Sequence, residues 1–146
     1  MQKTRALVIY TIVVSFIAVS VPYALLTTQR TIHGTGTIKG VGIGVYWDLQ
    51  CTDATSSLDW GILEPGSQKN YTLYLKNQGN SVLTLSMASE NWNPSNATNH
   101  MILTWNREGQ QINPDEVIEF VITLSVSEGV QGISAFSFDI VISGTG

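Results

Sequence analysis

The strongest constraint on the fold is an alternation of period two that runs through the last third of the chain. Ile118, Phe120, Ile122, Leu124 and Val126 alternate with Glu119, Thr123 and Ser125; Phe136, Phe138, Ile140 and Ile142 alternate with Ser137, Asp139 and Ser143. Apolar side chains at every second position share one face of an extended strand, whereas a helix would need them about 3.6 residues apart. Two strands of this kind, each greasy on one side and mostly polar on the other, fit sheets packed face to face with wet outer sides. Earlier stretches repeat the pattern. Tyr71, Leu73 and Leu75 alternate with Thr72, Tyr74 and Lys76, and Leu83, Leu85 and Met87 stand opposite Thr84 and Ser86. Val41, Ile43, Val45 and Trp47 share one face while Gly40, Gly42 and Gly44 share the other, and Leu103 and Trp105 supply a further short run. Gly, Asn, Ser, Thr and β-branched residues dominate, so helix is disfavoured throughout this part. The expectation is an all-β fold: one β-sandwich of seven or eight strands, of immunoglobulin-like or jelly-roll size.

The first segment obeys a different rule. Ala6 to Leu26 is twenty-one residues without a charge. As a helix it would span about 30 Å, the hydrocarbon thickness of a bilayer. Lys3 and Arg5 precede it and no acid does, which keeps the N-terminus in the cytoplasm and sends everything after Leu26 outside. Ala18-Val19-Ser20 fits a small-x-small cleavage site, and the unbroken length fits a retained anchor. The chain therefore divides into a hydrophobic signal peptide or transmembrane helix over 1–26, an extended arm over 27–40, and a sandwich over 41–146.

Charge and cysteine content exclude several classes. Hydrophobic residues make up 43% of the chain and charged ones 12%, about half the usual charged quota of soluble domains. That is the reverse of a disordered composition. With Cys51 the only cysteine, no intrachain disulfide is available. From Thr31 onward four basic residues stand against eleven acids, a surface unsuited to a phosphate backbone, so no nucleic-acid partner is expected.

Side chains that carry chemistry are sparse. His33 and His100 lack metal-ligand spacing, and neither HExxH nor G-x-S-x-G occurs, so no catalytic residue, metal or cofactor is assigned. Asp48, Asp53 and Asp59 fall in one region and could offer oxygen ligands to calcium, although a solvated loop accounts for them as well. Cys51 has no recognisable activating partner. Gly34-Thr-Gly36 resembles part of a phosphate loop, but no helix follows it. Alternation places Trp47 and Trp105 inward and leaves Trp92 the tryptophan freest to face solvent. Asn70-Tyr71-Thr72 and Asn96-Ala97-Thr98 are N-glycosylation sequons, with Asn70 on an outward face and Asn96 in a polar loop; Asn93-Pro94-Ser95 is disqualified by its proline.

Leu58-Asp-Trp-Gly-Ile-Leu-Glu-Pro-Gly66, then Tyr71 to Asn80 and Leu83-Thr-Leu85, resembles a recurrent immunoglobulin-like pattern in which a Pro-Gly turn and an Asn-x-Gly-Asn close link strands. The whole layout is similar to archaeal extracellular filament subunits, the bundling-pilus and thread proteins related to the TasA biofilm-fibre family. Its components are an export segment, a Gly/Thr-rich arm, and one sandwich with sequons and few charges. That resemblance implies donor-strand complementation, in which the arm of one subunit completes the sandwich of the next. In the arm, Ile32, Gly34, Gly36 and Ile38 fall on one face, two apolar plugs separated by glycines. A strand of that form could dock in a neighbour's groove and build a head-to-tail homopolymer. A flexible stalk between membrane and domain suits the glycines too. Two readings follow: an exported polymer subunit, or a membrane-anchored, glycosylated binding or adhesion module at the cell surface.

Overall fold

The computed structural model describes residues 30–146. The hydrophobic segment Ala6–Leu26 lies outside the described residues; among these, no helix is long and apolar enough to cross a membrane.

Nine strands make up the described chain: β1 (Ile32–Val41), β2 (Ile43–Tyr46), β3 (Ser57–Leu63), β4 (Gln68–Asn77), β5 (Leu83–Asn93), β6 (Met101–Trp105), β7 (Gln111–Ile112), β8 (Val117–Val126) and β9 (Ala135–Thr145). A single 3-10 turn, Ser95–Asn99, separates β5 from β6. The strands form a five-stranded sheet in the order β3-β1-β9-β5-β7 and a four-stranded sheet in the order β2-β4-β8-β6. The fold is all-β, two sheets stacked as a sandwich. Its inner layer is built by the alternation seen in the sequence: Phe136, Phe138, Ile140 and Ile142 from β9 face Phe120, Ile122, Leu124 and Val126 from β8, all buried.

The strand count exceeds the sequence expectation for two reasons. Residues 111–112 are too short to leave a periodic signal. More important, residues 32–40 of the arm, continuing into Val41, are β1, an interior strand of the chain's own first sheet, antiparallel to β3 and parallel to β9. The run from Val41 to Trp47 also differs from the sequence reading. Gly42, at φ +74°, breaks it by taking the left-handed conformation open to glycine, and the chain crosses there from β1 in one sheet to β2 in the other. Beyond β2 the alternation lapses, and Trp47 is 38% exposed instead of inward. Trp92 differs in the opposite sense: its ring stacks on Phe138 at 4.1 Å with planes 3° apart and packs against the core. Trp105 follows its expected direction, edge-on to Phe120 at 5.8 Å.

Among the described residues one polar side chain is fully buried. Asn77, fully buried at the end of β4, donates from Nδ2 to the carbonyls of Ser81 (2.8 Å) and Ile112 (3.2 Å), and its Oδ1 accepts from the Gly79 amide (2.9 Å). The Asn-x-Gly-Asn stretch is thus a turn tied by its first asparagine to the short strand β7, with each buried polar atom answered.

Candidate functional site

The feature with most bearing on function is β1 and the groove that holds it. β1 lies between β3 and β9, and its inward residues are Ile32, Gly34, Gly36 and Ile38, all buried. The two isoleucines retain 1% and 7% of their surface and lock into the core at either end of the strand. Between them the backbone runs directly over aromatic rings. A Cβ on Gly34 would come within 2.0 Å of Phe136 Cζ, a clash with the tip of the ring, and one on Gly36 would sit 3.1 Å from Trp60 Nε1 and 3.2 Å from Ile140 Cδ1. Absent side chains at 34 and 36 are what let the strand reach hydrogen-bonding distance of both neighbours.

A β-bulge shapes the groove wall. Register along β3 shifts between Gly34↔Gly61 and Thr35↔Asp59, leaving Trp60 as the extra residue. Bulges re-aim side chains; here the Trp60 indole is fully buried and its Nε1–H has no acceptor. Asp59 closes the bulge by accepting the Gly61 amide at 2.8 Å. The outer edge of β3 is then capped by side chains from β4: Tyr71 donates its hydroxyl to the Asp59 carbonyl, and Lys69 Nζ donates to the Trp60 carbonyl at 2.8 Å. Occupied main-chain acceptors make β3 a poor template for a stray strand.

On the outer face one ion pair fastens β1 to the rest of the sheet. Lys39 Nζ lies 2.6 Å from the Asp139 carboxylate on β9, and Asn91 Nδ2 on β5 donates to the same oxygen at 2.7 Å. The Lys39 contact, followed by that of Asn91, holds the Asp139 carboxyl below its ordinary pKa. Sequence reasoning did not single out this trio. Its one signal was an acid, Asp139, on the otherwise uncharged polar side of a long strand.

The remaining candidates do not converge on this place. Asn70 is exposed on the outer face of the second sheet, paired in register with Thr123, and Asn96 is exposed in the 3-10 turn, where the Thr98 hydroxyl donates to the Ser95 carbonyl. The Asp48 carboxylate is engaged within its own loop. It accepts the amides of Asp53 (2.7 Å) and Thr52 (3.0 Å) and the Thr52 hydroxyl (2.7 Å), and these bonds, that of Asp53 foremost, lower its pKa. Asp59 is committed to the bulge. Among the described residues no group of three or more His, Cys, Asp or Glu side chains could hold a metal ion. Cys51 is half-buried in the same loop at φ 55°, its thiol directed at the Leu49 carbonyl 3.8 Å away. His33 lies exposed on the outer face of β1, and His100 is half-buried at the end of the 3-10 turn, just before β6.

No protein-family model matches the chain, and no curated protein matches it significantly.

Proposed function

We propose that this chain is a non-enzymatic extracellular structural subunit, exported through Ala6–Leu26, that polymerises head to tail by donating β1 to the sandwich of a neighbouring copy. The observation that carries the reading is the position of β1. It is the first described strand, it fills an interior slot of the first sheet, and a single residue, Gly42, joins it to the rest of the sandwich. Withdrawing it would strip the core of Ile32 and Ile38, at roughly 1.5–3 kcal/mol each, so an empty groove is costly. Exchanging it for the same strand of another copy restores each of those contacts and leaves the balance to the hinge. Strand exchange is accordingly a low-cost route to association, and a head-to-tail version that does not close yields a filament.

The resemblance to archaeal filament subunits with an immunoglobulin-like sandwich supports the same reading, as does the low proportion of charge on a surface that copies would cover. Exposed Asn70 and Asn96 are suited to carry glycans on such a subunit. Electron microscopy of surface material from the producing cell tests the proposal. Fibres with a repeat of one subunit, containing this chain, are expected; its recovery only as separate monomers overturns the polymer. The second reading, a membrane-anchored adhesion module, draws on exposed Trp47 and Leu49 in the loop after β2, which would offer an apolar contact to a ligand. It predicts a mature chain that still begins at Met1 and does not assemble.

A further inference from the structure

We infer that the groove between β3 and β9 selects its strand by size and register, accepting Ile-x-Gly-x-Gly-x-Ile in one alignment only, so that the donor it takes is β1 of a second copy of this chain. The inference rests on the exchange reading above and specifies how the groove recognises the strand.

Four places in the groove carry the selection. Those of Ile32 and Ile38 are deep and apolar, whereas that of Gly34 has no volume at all. Phe136 fills it: the ring is buried and packs beside the stacked pair Trp92 and Phe138, 6.1 and 6.0 Å away, so a side chain at 34 enters only by displacing that ring. The place of Gly36 is small rather than closed, and it has a chemical preference. It lies against the orphan Nε1–H of Trp60, a buried donor with no acceptor of its own. A serine hydroxyl there could accept that proton; a methyl group could not.

These places also fix the alignment. Sliding the strand by two residues in one direction brings Ile32 under Phe136, and in the other brings Ile38 against Trp60. A slip of one residue turns His33, Thr35, Thr37 and Lys39 into the core. On the outer face the pair Lys39–Asp139 is made in the observed register, where Lys39 lies beside Val141 and Thr37 beside Asp139.

The test uses the full chain, carrying its own β1, and fluorescent peptides spanning Thr31–Val41. The wild-type peptide is expected to displace β1, as read by anisotropy. Overpacking places the Gly34→Ala peptide roughly tenfold or more behind it. Gly36→Ser is expected to compete better than Gly36→Ala. Equal uptake of the wild-type and Gly34→Ala peptides overturns the selection while leaving exchange intact; Gly36→Ala matching or beating Gly36→Ser overturns the role given to Trp60 Nε1. Should no peptide enter, exchange itself fails, and selection is then read within the chain. Gly34→Ala should lower the melting temperature far more than Thr35→Ala on the opposite face, or prevent folding; equal melting of the two refutes the size rule.

Discussion

Replacing Asn77 by alanine tests whether the turn after β4 is held from inside. The substitution removes two donated hydrogen bonds, to Ser81 and Ile112, and one accepted from Gly79. The three losses are unequal. Ser81 and Gly79 are exposed, so water can replace the asparagine at their main-chain groups, and each costs about 0.5–1.5 kcal/mol. Ile112 is fully buried, and its carbonyl loses a donor that water cannot easily replace, at about 1–3 kcal/mol. The expected total is about 4 kcal/mol, a drop of roughly 15 °C in melting temperature for a domain of this size. Urea unfolding followed by tryptophan fluorescence would read it directly. Asn77→Asp sharpens the test. An aspartate keeps the acceptor for Gly79 but sits buried with no cation, so its folded-state pKa is raised above the unfolded value. Its relative stability is therefore greatest at acid pH and falls as pH rises through the folded pKa. A stability for Asn77→Ala within about 0.5 kcal/mol of wild type, the range of neutral surface changes, would refute the assignment of these bonds.

Three further outcomes are expected. Ile32→Ala, at a site 1% exposed on β1, should cost about 2–5 kcal/mol in urea unfolding, whereas Thr37→Ala on the outer face of the same strand should be close to neutral. Asp139 contributes stability above the ordinary carboxylate range that is lost as pH falls, because its folded-state pKa is depressed; the gap in melting temperature between wild type and Asp139→Asn should narrow from pH 7 to about pH 3, and a constant gap would count against the Lys39 clamp. Tyr71→Phe combined with Lys69→Met uncaps the β3 carbonyls of Asp59 and Trp60, and light scattering should show faster aggregation on mild heating than for either single change.

The core was legible in the sequence wherever a strand is wet on one side. β8 and β9 keep a strict alternation, and their buried residues are those the pattern named. Trp47 and Trp92 were misread because both stand where that rule lapses: Trp47 just past the end of β2, and Trp92 beside the second irregularity, between Glu90 and Asn93 of β5. The face of β1 was readable too, since Ile32, Gly34, Gly36 and Ile38 do share it. Its slot in the sheet was not, because pairing between residues more than a hundred positions apart, as in Gly36↔Phe138, leaves no local trace. Trp60 shows the same limit: a bulge is a property of two paired strands, and neither strand announces it alone.

Whether β1 passes between copies can be read from a single covalent measurement. Thr37 and Ser57 face each other across β1 and β3, both exposed, and the adjoining Ile38 amide bonds the Ser56 carbonyl at 2.8 Å. That places 37 and 57 as a non-hydrogen-bonded pair, with side chains close enough for a disulfide. A chain carrying Thr37→Cys and Ser57→Cys, with Cys51→Ser to remove the native thiol, would be assembled, oxidised and run on a denaturing, non-reducing gel. Strand exchange predicts a ladder of covalent dimers, trimers and longer chains that reduction collapses. A single monomer band, its disulfide formed within one chain, would contradict it.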